Sequence, residues 1–139
     1  MILVAIVDKA GGMLFNGRRQ SQDRLLRERL LSLSASSKLW ISPFSAAQFT
    51  EEAPHLVSDP QWLEKAGEEE YCLVEDRDPS PYLERARGVV LYHWNRAYPG
   101  DLFFSALPLS KKVWKCLQKT DFAGSSHPKI TEEIYQKKG

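Results

Sequence analysis

Apolar residues along the chain follow two kinds of pattern. Met1–Val7 is a continuous apolar run rich in β-branched residues, which is typical of a strand buried on both faces of a largely parallel sheet. Between Ser21, a candidate helix N-cap, and Leu33, leucines recur at near-helical spacing while arginines occupy the opposite face. The pattern therefore predicts a central first strand and an amphipathic helix, here called helix one. Residues 13–20 between them are predicted to be a loop with a turn at Asn16-Gly17.

Short apolar runs then alternate with helical stretches. The predicted strands are Lys38–Ile41, His55–Ser58, Tyr71–Val74 and Val89–Tyr92. The predicted short helices are Pro43–Phe49, Asp59–Gly67 with Asp59 as its N-cap, and Pro81–Arg87. Alternation of strand and helix favours right-handed crossovers and a parallel sheet.

The last third of the chain has a different pattern. Three strand candidates follow without a helix between them: Phe103–Phe104, Val113–Leu117 and Ile130–Tyr135. They predict an antiparallel hairpin at one sheet edge. We therefore expect an α/β fold with a mainly parallel central sheet, flanking helices and a C-terminal antiparallel hairpin. The length of 139 residues predicts a single domain over 1–139.

Composition excludes several classes of protein. Hydrophobic residues make up 42% and charged residues 27%, as in globular domains. No apolar run approaches the roughly 20 residues that span a bilayer, and no signal peptide is recognised, so we expect a cytoplasmic protein without a membrane partner. The three histidines and two cysteines are widely separated and predict neither a metal site nor a disulfide framework.

The net charge of +1 conceals an uneven distribution. Residues 51–78 carry two Lys or Arg against ten Asp or Glu, whereas the segments on both sides carry an excess of cations. Such a block is usually a solvated face, but it also repels phosphate-bearing ligands from the surface that it covers.

Several segments, in chain order, resemble the dihydrofolate reductase family. VAIVDKAGGM at 4–13 is similar to the family's first strand and the turn after it, with Gly11 where the family has an apolar residue. SQDRLL at 21–26 is similar to the start of its first helix, and YPGDLFF at 98–104 to its Glu-Gly-Asp-Thr-x-Phe strand. Two later features also match in order, Trp114 and the sequence Ser-Ser-His127. The resemblance implies that fold from end to end.

The same resemblance implies that the NADPH-binding turns of the family are replaced. The family's Gly-Arg-x-Thr turn reads Ser-Pro-Phe-Ser at 42–45, where Pro43 offers no N–H to a phosphate. Its Gly-Gly turn reads Val-Glu-Asp at 74–76, which places two carboxylates near a pyrophosphate. The family's tryptophan-bearing loop is here Gly-Arg-Arg at 17–19, and one strand, His55–Ser58, stands where the family has two. We expect no NADPH or other cofactor.

Asp23 has two interpretations that the sequence leaves open. The resemblance places it near the family's buried acid, which implies a catalytic role in protonating a pterin. Its position beside Arg24 and Arg27 equally fits a first-turn carboxylate that complements the helix dipole. Tyr92 falls where the family has a threonine linked to the pterin-binding acid.

Two further groups are candidates for a binding cleft or interface. Five arginines lie within residues 18–29 and could form an anion-binding patch or a solvated, salt-bridged face. We expect the face with Arg24 and Arg27 to be exposed, and we expect no nucleic acid partner. The second group comprises Trp94, Arg96 and Tyr98, predicted to be a surface bulge after the fifth strand and of residue types that anchor interfaces.

These observations lead to three hypotheses for function. The first is a non-catalytic module whose partner is a small molecule or a protein. The second is a divergent pterin or folate reductase using Asp23, and the third is a nucleic-acid-associated protein using helix one. Fold similarity alone does not choose among them.

Overall fold

The computed structural model describes residues 1–139 and contains ten strands and three α-helices. The strands are β1 (Ile2–Val7), β2 (Gly12–Phe15), β3 (Arg18–Arg19), β4 (Leu39–Ile41), β5 (Leu56–Ser58), β6 (Tyr71–Leu73), β7 (Gly88–His93), β8 (Leu102–Phe103), β9 (Trp114–Phe122) and β10 (Ile130–Lys137). The helices are α1 (Arg24–Leu33), α2 (Pro43–Ala46) and α3 (Trp62–Lys65).

Seven strands form the central sheet in the order β5-β4-β6-β1-β7-β10-β9. The first five pair in parallel, while β10 runs antiparallel to β7 and β9 antiparallel to β10. The mainly parallel sheet with a C-terminal antiparallel hairpin is confirmed. Val4 in β1 and Leu91 in β7 are 0% and 2% exposed, as expected of strands covered on both faces.

The two faces of β1 bury different helices because successive side chains point to opposite sides of a sheet. Val4 packs in one core with Leu26 and Leu30 of α1. Leu3 packs in the other core, which includes Trp62 and Leu63 of α3. The leucine spacing of helix one therefore reflects burial against the sheet.

The predicted loop at 13–20 is wrong. Its residues form β2 and β3, which join β8 in a second, three-stranded sheet. The predicted turn is present, with left-handed φ values of 53° at Asn16 and 71° at Gly17. The Asn16 N–H donates to the Asp101 carboxylate at 3.0 Å, 85 residues along the chain. A local pattern could not reveal this sheet, because its central strand β2 pairs with the distant β8 as well as with β3.

The predicted helices are longer than those observed. Helix one begins at Arg24 with Asp23, rather than Ser21, as its N-cap. The predicted helices at 43–49 and 59–67 are single turns, and 81–87 contributes only the end of a 3₁₀ turn at Ser80–Tyr82. Asp59 does not cap α3, because its carboxylate accepts the N–H of Gln61, before the helix begins. None of the helices combines the length and the apolar character of a membrane-spanning segment.

Candidate functional site

Asp23 joins helix α1 to the β9–β10 hairpin. As the N-cap it accepts the N–H groups of Leu25 and Leu26 at 3.0 and 3.1 Å. From the hairpin, the N–H groups of Ser125 and Ser126 donate to the two carboxylate oxygens at 2.9 and 2.8 Å. Asp23 is 3% exposed, so the charged group is buried but surrounded by donors.

His127 extends this network toward the cleft beside α1. Its Nδ1 lies 3.0 Å from Oδ2 of Asp23, and its Nε2 lies 3.1 Å from the hydroxyl oxygens of both Ser21 and Tyr98. The indole of Trp94 stacks on the imidazole at 4.3 Å between ring centroids. Asp23, Trp94 and Tyr98, which the sequence singled out separately, therefore meet at His127.

The environment of Asp23 determines its ionisation. Burial disfavours the charged form, but the N–H groups of Ser126 and Ser125 and the His127 side chain outweigh it and hold the pKa of Asp23 far below its ordinary value. The group is therefore a carboxylate throughout the physiological pH range, and it acts as an acceptor.

Tyr92 lies in a separate buried group. Its hydroxyl donates to Glu132 at 2.8 Å, and Arg29 binds the same carboxylate with two nitrogens at 2.8 and 3.0 Å. Burial and the neighbouring Glu132 carboxylate raise the pKa of Tyr92. Tyr92 thus anchors β10 to β7 and α1 and makes no hydrogen bond to Asp23.

The remaining sequence candidates are dispersed. Arg24 is exposed and pairs with Glu28. The expected exposure of Arg27 is wrong, because its side chain is 12% exposed and binds Glu51 through two nitrogens at 3.0 and 3.3 Å. The expected surface position of Trp94 is also wrong, since it is 4% exposed. Arg96 is exposed in the turn after β7.

The cleft beside α1, next to Ser21 and Trp94, is closed by groups from β3, from α2 and the residues after it, and from the segment after β6. The guanidinium of Arg19 lies 3.4 Å from the Glu75 carboxylate and donates to the carbonyl of Phe44 at 3.1 Å. Gln48 donates to Glu75 at 2.6 Å. The space left among Ile6, Met13, Arg19, Gln20, Ser21, Glu75 and Trp94 is about 10 Å³. That is about the volume that a single water needs.

A much larger cavity lies on the opposite face of the sheet. This outer cavity has a volume of about 560 Å³ and is bounded by the β1–β2 turn, the segment 104–111, and strands β7, β9 and β10. Its floor includes the buried side chains of Leu91, Phe104 and Trp114. Volumes of roughly 300–1,000 Å³ with apolar walls are typical of small-molecule sites.

Polar groups of the outer cavity are arranged around the apolar floor. His93 and Glu133 are hydrogen-bonded to each other inside it. Burial, together with the adjacent Glu133 carboxylate, raises the pKa of Tyr135 to about 12. Lys9, Lys111 and the thiol-bearing Cys116 are exposed members of the lining. No group of three or more His, Cys, Asp or Glu side chains in the chain is arranged to hold a metal ion.

Comparison with known proteins identifies the fold. Among solved structures, the chain is similar to a dihydrofolate reductase from Enterococcus faecalis, determined as a complex with NADP(H) and RAB-propyl, with a TM-score of 0.67. The similarity covers 100% of this chain and 97% of that chain at 10% sequence identity. No protein-family model and no curated protein matches the chain. The chain therefore has a dihydrofolate reductase-like fold, and fold alone does not carry an activity.

Sequence reasoning missed two parts of the site. The sequence Ser-Ser-His127 was recognised only as part of a resemblance, and the donors that it supplies to Asp23 depend on the hairpin folding back over α1. The outer cavity has no signal in the sequence, because its lining comes from five separate segments.

Proposed function

We propose that residues 1–139 act as one non-catalytic, dihydrofolate reductase-like domain that binds a small organic molecule in the outer cavity. The main support for this proposal is the difference in volume between the closed cleft, about 10 Å³, and the outer cavity, about 560 Å³. A dinucleotide and a pterin have no room in the first, whereas the second is of ordinary ligand size.

The chemistry of the closed cleft supports the loss of cofactor binding. Glu75 presents a buried carboxylate where the family resemblance expects a glycine beside the pyrophosphate. Arg19 and Gln48 already bind that carboxylate, so neither is free to bind a phosphate there. Pro43 begins α2 without an N–H to donate.

The state of Asp23 supports a structural role over the reductase alternative. A general acid needs a proton to give near its working pH. The pKa of Asp23 lies far below that range, because backbone N–H groups and His127 outweigh the effect of burial. Its oxygens are also occupied by donors from α1 and the hairpin.

The arginines of helix one support the absence of a nucleic acid partner. Arg24, Arg27 and Arg29 are each paired with a carboxylate of the protein, from Glu28, Glu51 and Glu132 respectively. Phosphate binding depends on cations that are available to replace counterions. We expect fluorescence anisotropy to detect no submicromolar binding of duplex DNA or RNA at physiological salt.

Two measurements test the proposed function. Calorimetric titration with NADPH should show no saturable binding tighter than about 100 μM, inside the usual KM range of enzymes. The neutral apolar dye N-phenyl-1-naphthylamine should bind saturably with a rise in fluorescence. Binding of NADPH, or failure of the dye to bind, contradicts the proposal.

Cys116 provides a test of where the dye binds. It is the exposed thiol in the cavity lining, while Cys72 is buried and burial raises its pKa to about 12. Alkylation with N-ethylmaleimide should therefore modify Cys116 and block the dye. The Cys116→Ser variant, treated in the same way, should still bind it. Equal dye binding by alkylated and untreated wild type would place the dye outside the cavity and contradict the proposal.

A further inference from the structure

Charge in the outer cavity is distributed by depth. Its two carboxylates, from Asp8 and Glu133, lie inward and already have donors of the protein. Asp8 is 3% exposed and accepts the N–H groups of Ala10 and Gly12 at 2.9 and 2.7 Å through one oxygen. Its other oxygen accepts from Gln20 and from the N–H of Tyr98 at 3.2 and 3.1 Å.

Glu133 is likewise engaged within the protein. It is hydrogen-bonded to His93, and its side chain is 14% exposed. The hydroxyl of Tyr135 lies beside the same carboxylate. Both anionic groups of the cavity are therefore directed at protein donors.

The two ammonium groups of the lining have no such partners. Lys9 and Lys111 are both exposed, and the ammonium group of neither takes part in any ion pair or hydrogen bond of the chain, whereas the ammonium groups of Lys65, Lys129 and Lys137 do. Residues 102–120, which supply much of the outer wall, contain four lysines and no Asp or Glu. The accessible charge at the mouth is therefore positive, above an apolar floor.

We propose that the outer cavity takes an amphipathic organic anion, with an aromatic or aliphatic body on Leu91, Phe104 and Trp114 and a carboxylate at Lys9 and Lys111. This inference rests on the proposed function, since it assigns a ligand class to the same cavity. The apolar body contributes burial, and the mouth selects the sign of the charge. An amine of the same shape would be repelled by the two lysine charges, and a neutral alcohol would form no ion pair with them.

A matched series of ligands tests the assignment. The probes are 2-naphthylacetate, 2-(2-naphthyl)ethanol and 2-(2-naphthyl)ethylamine, which share one apolar body and differ in charge. Displacement of N-phenyl-1-naphthylamine measures each affinity. We expect the acid to bind at least about tenfold more tightly than the alcohol, and the amine to bind most weakly. The preference for the acid over the alcohol should decrease as salt screens the charges of the lysines.

Charge variants identify the groups responsible. Lys9→Gln and Lys111→Gln should each lower the affinity for the acid roughly fivefold, which corresponds to about 1 kcal/mol. The affinity for the alcohol should not change. Lys112→Gln is the matched control, because Lys112 is exposed but does not line the cavity. Because all three substitutions replace an exposed side chain, we expect the three variants to fold with the stability of the wild type.

The outcomes separate this inference from the proposed function. Saturating acid should slow the alkylation of Cys116. Three results would overturn the assignment of an anionic ligand: equal affinity for acid and alcohol, tighter binding of the amine, or binding of the acid without protection of Cys116. If the dye still binds in any of these cases, the proposed function stands. Failure of the dye and of all three probes overturns both.

Discussion

Nδ1 of His127 lies 3.0 Å from Oδ2 of Asp23, across 104 residues of sequence. A carboxylate can only accept, so Nδ1 carries the proton, and in the neutral ring Nε2 accepts from the hydroxyl of Ser21 or Tyr98. The pair connects the start of α1 to the last hairpin, and it fixes the position of both against the central sheet.

Replacement of Asp23 should destabilise the fold and change its response to acid. Asp23→Asn should lower the free energy of unfolding by roughly 3 kcal/mol, because an amide cannot accept all the donors that now surround the carboxylate. The folded-state pKa is lowered, so this contribution is present above about pH 4, the ordinary aspartate value, and is lost as pH falls below it.

Urea unfolding at several pH values measures both effects. The acid-induced loss of stability should be smaller in Asp23→Asn than in the wild type. Glu52→Gln, a change at an exposed side chain that forms no ion pair, is the control and should match the wild type. An unchanged pH dependence in Asp23→Asn would show that another group governs acid stability.

Gly124 should tolerate no side chain, because the hairpin approaches Asp23 closely there. A Cβ at this position would overlap Oδ2 of Asp23 and lie 2.8 Å from Cδ1 of Ile130. Gly124→Ala should therefore cost about 1–3 kcal/mol, as overpacking of a tight site does. Gly139→Ala, with nothing within 4 Å of its Cβ, should be neutral. Thermal unfolding of the two variants distinguishes the sites, and equal melting temperatures would contradict the close approach.

Ser21, His127 and Asp23 share the hydrogen-bond order of a hydrolase triad, yet we expect no nucleophilic activity. The space beside Ser21 is about 10 Å³, and Trp94 covers one face of the imidazole. A fluorophosphonate probe should leave Ser21 unmodified in mass spectra of the native protein. Modification of Ser21 that disappears in His127→Ala would instead establish an activated serine.

Arg24 and Arg27 should differ in their contribution to stability although both lie on helix one. Arg27→Ala breaks a two-nitrogen pair with Glu51 that is mostly removed from solvent and should cost about 1–3 kcal/mol. Arg24→Ala breaks an exposed pair and should change stability by less than about 0.5 kcal/mol. Chemical unfolding of both variants provides the comparison. A larger loss in Arg24→Ala would contradict the observed burial.

The sequence was sufficient for the parts of the fold that are encoded locally. The apolar run of β1 and the leucine spacing of α1 reflect burial of contiguous residues, so their position in the sheet and on its face could be predicted. The strands β2 and β3 were missed because they are only four and two residues long, and because β2 also pairs with β8, far along the chain. Helix α3 was predicted too long because an aspartate–proline start, here Asp59-Pro60, signals a helix but does not determine where it ends.

The candidate site was only partly accessible to such reasoning. Asp23 carried a local signal as a first-turn acid, but its donors from Ser125 and Ser126 exist only in the folded hairpin. The exposure of Arg27 was misjudged because its partner, Glu51, belongs to the acidic segment that was expected to be solvated. Tertiary pairing of this kind leaves no periodicity in the sequence.

Opening the closed cleft should not create a binding site for NADPH. In Glu75→Gly the carboxylate that holds Arg19 and Gln48 is removed, which leaves a largely buried guanidinium without its partner. Stability should fall by about 2–4 kcal/mol for that reason. Pro43 would still offer no N–H at the start of α2. Calorimetry of Glu75→Gly with NADPH should therefore show no saturable binding up to about 100 μM, a concentration inside the usual KM range.

Glu75→Gln, which keeps a hydrogen-bonding side chain, is the matched variant. It should lose less stability than Glu75→Gly and should also fail to bind NADPH. Saturable NADPH binding by Glu75→Gly alone would mean that one carboxylate, and not the combined loss of donors, separates this chain from a working reductase.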